Sequence, residues 1–394
     1  MKTLSQFFLT VVLFSAILIS CKNSHPGAAG SPGTYDLKVL PEQTTLKLSD
    51  LGAKEVRYIP LETTEKSVIS RIQKIIRGKN FFLTQSFTDI KMFRYDGSFV
   101  TKIGTPGRGP DEFTVAHDVD INPESQTIYL LDGWQQKFLV YSGNGELIRT
   151  FKYPVRAAVN FRFTEDGILC YNLNNMGDIE TSFILIDTTG QIIKSFPNKY
   201  PWTRKFPTLG YQSENIFYRF NNRLIKKEIY CDTLYFYNNK DFEPYSVIDI
   251  GDRRITPDVR TETDAKIIMQ NYINPMNLFE FGDYIYYEFF ASRYDKPEGL
   301  SFIGSKDGRL RVLFDPEKEL INDLDGGPEI WPRSAWDDRT LVSWIDAINL
   351  KSTIASDNFR SSSPKYPEKK KELERLAKNL EETDNPVLIL IKFK

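Results

Sequence analysis

Asp89-Ile-Lys-Met-Phe-Arg-Tyr-Asp-Gly97 runs directly into Ser98-Phe-Val-Thr-Lys-Ile-Gly104. This stretch is a β run, a turn closed by glycine, and a second β run, the pattern of a hairpin whose turn needs a positive φ. Two later stretches repeat it. Gln136-Lys-Phe-Leu-Val-Tyr-Ser-Gly-Asn-Gly145 leads into Glu146-Leu-Ile-Arg-Thr-Phe151, and Ser182-Phe-Ile-Leu-Ile-Asp-Thr-Thr-Gly190 leads into Gln191-Ile-Ile-Lys-Ser-Phe196. The turn glycines Gly97, Gly145 and Gly190 fall 48 and 45 residues apart. Weaker copies follow at Asp232–Ile250 and Leu300–Phe314. Between the hairpins lie further strand-like runs, such as His117–Asn122 and Thr127–Leu131. Four short strands in a period of ~45 residues are the signature of a β-propeller blade. Val56 to Phe393 is about 337 residues, and two stretches, about 251–276 and about 349–384, break the repeat. What remains, at ~47 residues per blade, predicts an all-β, six-bladed propeller of four-stranded blades, with seven blades as the alternative. An open ring would leave bare sheet edges. Val56–Leu61 and Pro386–Phe393, strand-like runs at opposite ends of the chain, are therefore predicted to share the closing blade. A charged amphipathic segment at about 364–382, with Leu373, Leu376 and Leu380 on one stripe, predicts a short helical insert near the C-terminus packed on the rim.

Composition agrees. The 394 residues are 41% hydrophobic and 26% charged, which describes a globular chain, and 13% aromatic, which favours strands. With 51 basic and 52 acidic side chains the formal charge is −1, so bulk nucleic-acid binding is excluded as a function class. Three cysteines make no disulfide framework and no C-x-x-C pair; Cys170 and Cys231, in apolar runs, read as buried thiols. Two histidines, His25 and His117, rule out chemistry that needs several.

The first twenty residues read as a signal peptide. Lys2 gives the positive start, and Phe7–Ile19 is an apolar run too short to span a bilayer comfortably. Leu18-Ile-Ser-Cys21 resembles the bacterial lipobox, in which cleavage precedes a cysteine whose thiol is diacylated. Two or more acyl chains anchor stably. Residues 21–34, rich in Gly, Ser and Pro, read as a flexible tether, leaving 35–394 as the propeller domain. No acidic residues stand just after Cys21, so the expected location is the outer membrane, facing the periplasm. The expected partners are the membrane through Cys21 and an envelope protein or glycan.

Several motifs are candidate ligand sites. In Gly107-Arg-Gly-Pro-Asp-Glu112, Arg108 on a glycine loop could fork onto an anion, or pair with Asp111 or Glu112 to pin the loop. His117 opens an inner strand, with Asp118, Asp120 and Asp132 near it in sequence. Together they are the candidate set for a divalent metal, although one histidine without a spacing rule is a weak pattern. Trp134 follows closely. Asp323-Leu-Asp-Gly-Gly327 is a fragment of a calcium loop around Asp323 and Asp325, lacking the glutamate that completes one. Trp331, Trp336 and Trp344 could stack on a sugar or peptide, or pack between blades. No serine-, zinc- or lysine-centred catalytic motif accompanies a histidine.

Blade two, from Ile103-Gly-Thr-Pro-Gly-Arg-Gly-Pro-Asp-Glu-Phe113 through Phe138–Tyr141, resembles an NHL-type repeat. The whole of about 54–394 is more similar to six-bladed β-propeller lipoproteins of Bacteroidetes. The matching motifs are Ile59-Pro-Leu-Glu-Thr-Thr64, Gly107-Arg-Gly-Pro-Asp-Glu-Phe113, Asp323-Leu-Asp-Gly-Gly327 and Asn385-Pro-Val-Leu388. That resemblance implies the fold and no particular activity. Two functions are therefore expected in order: a lipid-anchored binding or scaffold module with a peptide, glycan or protein at the channel mouth, and, as the alternative, a metal-assisted hydrolase or lyase of the lactonase-like propeller type using His117.

Overall fold

The computed structural model describes residues 33–155, 158–205, 210–211, 213–293, 296–314 and 319–394. The signal peptide, Cys21, His25 and nearly all of the tether lie outside these residues. The described residues belong to one compact unit, Pro32–Lys394.

Six sheets form six blades, so the seven-bladed alternative is set aside. Blade one runs from Lys74 to Lys102, blade two from Asp118 to Lys152, blade three from Ala158 to Pro197, blade four from Asn215 to Asp249, and blade five from Asn274 to Phe314. Blade six is assembled from both ends of the chain. Its strands Ser334–Asp337, Thr340–Ile345 and Val387–Phe393 are completed on the outer edge by Ala53–Pro60, paired antiparallel with Val387–Phe393. The predicted closure is thus found. The motifs at the two ends meet as a latch: Asn385 accepts from the Ile69 N–H at 2.7 Å and donates to the carbonyls of Glu62 and Ser67, while its own N–H donates to Thr63 Oγ1 at 2.8 Å.

The middle strands Phe81–Gln85, Ile128–Asp132 and Lys137–Tyr141 are buried along their whole length, because neighbouring blades cover both faces. The aromatic residues fill these interfaces. Phe82 meets Trp336 edge-on at 5.6 Å between blades one and six, Phe138 meets Phe161 at 5.0 Å between two and three, and Phe281 meets Phe393 at 4.9 Å between five and six. Each such pair contributes ~0.5–1.5 kcal/mol beyond its buried area.

One feature was not anticipated. Residues assigned to the tether's end and the domain's start form a strap. Thr34–Asp36 adds a fifth, parallel strand to the outer edge of blade four, and Gln43–Thr44 does the same to blade five. Tyr35, Leu37, Leu46 and Leu48 are buried beneath it. Two otherwise bare sheet edges are covered in this way.

Antiparallel blades put alternate connections on opposite faces of the ring. On one face, which we call the lower, every connection is a turn of two to six residues. The upper face carries all six blade-to-blade connections and two helical insertions. One insertion, with helices Pro257–Glu262 and Ala265–Asn271, accounts for the break near 251–276. The other holds Ala347–Ala355, Asp357–Ser361 and Pro367–Asn379, so it is longer than the single helix expected. Leu373 and Leu380 are buried and Leu376 half-buried against Leu350, Phe359 and Val387, which packs the stripe onto blade six.

Candidate functional site at the upper mouth of the channel

The inner strands of all six blades line a channel of about 2720 Å3. That is several times the ~300–1,000 Å3 of a typical small-molecule pocket. The channel is a wide bore, and close contact with a ligand is available at its ends.

Along the inner strands three consecutive blades are tied by charge. Lys74 of blade one donates to Asp118 Oδ1 of blade two at 2.5 Å, and Arg162 of blade three donates to Asp118 Oδ2 at 2.5 Å. The Phe161 N–H donates to the same Oδ2 at 3.0 Å. Burial alone would raise the pKa of Asp118, but the Arg162 and Lys74 cations outweigh it and hold the carboxyl below the usual carboxylate range. Asp120 accepts from the Phe163 N–H at 3.2 Å, and Arg219 of blade four donates to the Phe163 carbonyl. Lys74, Asp118 and Arg162 are each 44 residues apart, one blade period. That spacing could have singled out Lys74 and Arg162 from sequence, where only Asp118 was noticed.

Above this tier, His117 Nδ1 accepts from the Gly133 N–H at 3.1 Å. The neutral ring therefore carries its proton on Nε2. Burial lowers the affinity of His117 for a second proton, with Asp132 acting weakly against it. Its ring lies edge-on to Trp134 at 5.7 Å, and Trp134 is 74% exposed. Trp134 is not isolated. Phe87, Trp134 and Met176 occupy the second-to-third-strand connections of blades one, two and three, and all three are exposed at the channel. Met276, at the start of blade five's inner strand, adds a fourth exposed apolar side chain. Sequence reasoning found Trp134 and missed the others, which carry no motif; their signal is a recurring position in the blade.

Of the sequence candidates, His117, Asp118, Asp120, Trp134, Trp336 and Trp344 line the channel. Asp132 lies behind them and is fully engaged: it accepts from Thr114 N–H and Oγ1 at 2.6 and 2.7 Å and from the Trp134 and Gln135 N–H groups. Arg108, Asp111 and Glu112 lie outside the lining. Glu112 accepts from the Gly109 N–H at 2.9 Å instead of pairing with Arg108, and Lys137 pins the loop by donating to the carbonyls of Gly109 and Pro110 at 2.9 Å. Arg108 stands exposed with no ion pair among the described residues. Asp323 accepts from Ser49 N–H and Oγ, holding the N-terminal strap. Asp325 accepts from Tyr58, Asn322 and the Gly327 N–H. A Cβ on Gly327 would lie 2.3 Å from the Tyr58 hydroxyl, so the Asp-Gly-Gly motif is explained by close packing. Trp336 is an inter-blade residue, against Phe82 and Tyr95. Trp331 packs on Arg333. Cys170 is buried as expected, whereas Cys231 is half-buried in a connection.

The candidate metal set is not assembled. His117 gives Nδ1 to a backbone N–H, and Asp118 and Asp132 are occupied as described. Among the described residues, no three His, Cys, Asp or Glu side chains group as metal ligands. What the mouth offers chemically is an apolar, aromatic rim over a polar bore.

The chain belongs to the family described as a domain of unknown function, DUF4934, whose model matches residues 34–392. Its fold is shared by the crystal structure of a Bacteroides fragilis protein designated as exported, which is 16% identical over 92% of this chain and 99% of that one, with a TM-score of 0.70. A member of the DUF4221 family from Bacteroides vulgatus is 13% identical over 87% of this chain and 97% of that one, with a TM-score of 0.48. No curated protein matches the sequence. Among the described residues no helix is long and apolar enough to cross a membrane.

Proposed function

We propose that the protein is a non-catalytic binding module of the cell envelope, anchored by lipid on Cys21, facing the periplasm, and holding a peptide, glycan or partner protein at the upper channel mouth. The observation that carries this reading is the rim of Phe87, Trp134, Met176 and Met276, large apolar side chains left in water around one end of the bore. Exposed apolar groups clustered in this way mark interaction sites. Aromatic planes at such a mouth suit sugar faces and peptide side chains. The committed carboxylates of Asp118 and Asp132 support binding over hydrolysis. The likeness of blade two to an NHL repeat and the exported relative both suit a recognition role in the envelope.

The test is a titration of the purified protein with a panel of oligosaccharides and peptides, followed by calorimetry. Trp134→Ala is expected to weaken the best binder by roughly tenfold or more, the loss typical of an interface anchor, while Arg309→Ala on the lower face leaves it unchanged. Binding indifferent to Trp134 would contradict the proposal. For the anchor, Cys21→Ser is expected to move the protein from the membrane to the soluble fraction, and retention in the membrane would refute lipidation.

A further inference from the structure

Four arginines of the inner strands or just before them reach the channel besides exposed Arg71. Three have acceptors: Arg77 donates to the Trp336 carbonyl at 3.2 Å, Arg162 pairs with Asp118, and Arg219 donates to the Phe163 carbonyl. The fourth, Arg333, differs. It immediately precedes the inner strand of blade six, on the upper side, and its guanidinium carbon lies 4.3 Å from the centre of the Trp331 ring and 5.4 Å from that of Trp344. Its backbone is fixed by the Val342 carbonyl and by Asn277. The carboxyls of Glu288 and Glu319 are near enough to feel its charge, yet its guanidinium makes no hydrogen bond or close ion pair among the described residues, and its Nε–H is buried without an acceptor.

A half-buried guanidinium with unmet donors is costly. Indole packing holds the fork in place, so little rotamer freedom remains to be lost when an acceptor arrives. We propose that Arg333 is the receptor for a planar monocarboxylate on the ligand bound at the upper mouth; this inference rests on the binding reading above. The five donors of a guanidinium match a carboxylate in two parallel hydrogen bonds. Arg71, exposed at the mouth on the adjoining blade one, adds a second cation. A doubly charged group such as a phosphate ester fits less well, because the carboxyls of Glu288 and Asp346 share this wall of the channel. Across the ring, blade three presents Asp178 and Glu180 at the same mouth, so an acidic ligand is oriented with its carboxylate towards blade six.

The carboxylate can be the terminus of a peptide or the uronic acid of a glycan, and the experiment separates them. The purified protein is titrated calorimetrically with methyl β-D-glucuronide and its methyl ester, and with an N-acetylated dipeptide and its C-terminal amide. One acid is expected to bind roughly tenfold tighter than its neutral partner, the worth of a good charge-assisted pair, and which acid does so names the source. Arg333→Gln is expected to abolish the preference. Arg333→Lys keeps the charge but not the fork, so it is expected to retain a reduced preference, and it supplies the same readout if the glutamine variant melts early. If neither acid outcompetes its neutral partner, or the preference survives in Arg333→Gln, the inference is overturned. An acid preference that survives in Arg333→Gln while all binding is lost in Trp134→Ala would overturn it and leave the binding module standing.

Discussion

The two faces of this ring are built from the same blades, yet the chain is distributed between them very unequally. The lower face is closed by turns of two to six residues, several of them pinned by residues in left-handed conformations such as Gly97, Gly145 and Gly190. The upper face holds every blade-to-blade connection, both helical insertions and the exposed side chains of Phe87, Trp134 and Met176. Short turns of fixed geometry leave little room for variation, while long connections on a rigid scaffold are where binding surfaces are made. The lower face and the charged trio of Lys74, Asp118 and Arg162 should therefore govern stability, and the exposed side chains of the upper mouth should govern ligand binding. Substitutions can break that division or sharpen it.

The largest effect is expected at Asp118. Asp118→Asn keeps the shape but leaves Lys74 and Arg162 without their counter-ion, and a loss of about 3 kcal/mol is expected, the lower end for a broken buried pair because Lys74 is partly solvated. Urea unfolding measures it, and adding Lys74→Met should recover part of the loss. The sign with pH is fixed by the lowered pKa of Asp118. Its stabilisation is complete above the unfolded value of ~4 and is lost as the pH falls through the folded value below it. Wild type and variant should then converge in acid; a gap that stays constant down to pH 2 would argue that the ion trio does not hold the blades together.

Second comes Gly97→Ala on the lower face. Gly97 has a φ of +90°, and an added Cβ would lie 2.1 Å from the Pro60 carbonyl oxygen of the closing strand. A cost of about 2 kcal/mol is expected. Trp134→Ala, at an exposed site of the upper mouth, should stay within ~0.5 kcal/mol of wild type in the same unfolding experiment. Equal costs at the two positions would erase the distinction between the faces.

These contrasts also show what was legible in the sequence. The outer hairpins announce themselves because strand alternation and a turn glycine are local signals, and Asp89–Gly104 alone sets the blade pattern. Closure was legible because Val56–Leu61 and Pro386–Phe393 had no other partners in the repeat. The strap of Thr34–Asp36 and Gln43–Thr44 was not, since two- and three-residue strands have no periodicity and their partners are over 200 residues away. The site was harder still. Arg108 and Asp325 sit in conspicuous motifs that the packing of loops explains. Lys74 and Arg162 carry only the faint signal of one blade period from Asp118, Arg333 carries none, and only the ring brings them to one channel.

The smallest effect is expected at Glu319, in the long upper connection before blade six. Burial, with Glu329 adding to it and Arg333 opposing, pushes its pKa up to about 7. A carboxyl raised in the fold weakens the folded state where it must ionise, above pH 7, and that penalty fades as the pH falls towards the unfolded value of ~4.3. Glu319→Gln should thus stabilise the protein by about 1 kcal/mol at pH 8 and by less at pH 5. Thermal melts at the two pH values check it, and a gain that is greater at pH 5 would contradict the sign.

Hydrogen exchange with and without the best ligand of the panel tests the division of the faces most directly. Protection is predicted in the upper connections 86–89, 133–136 and 173–180 and at the approach to blade six around Arg333, with the turns at Gly97, Gly145 and Gly190 unchanged. Protection confined to those lower turns, or spread evenly around the ring, would contradict the assignment of binding to the upper mouth.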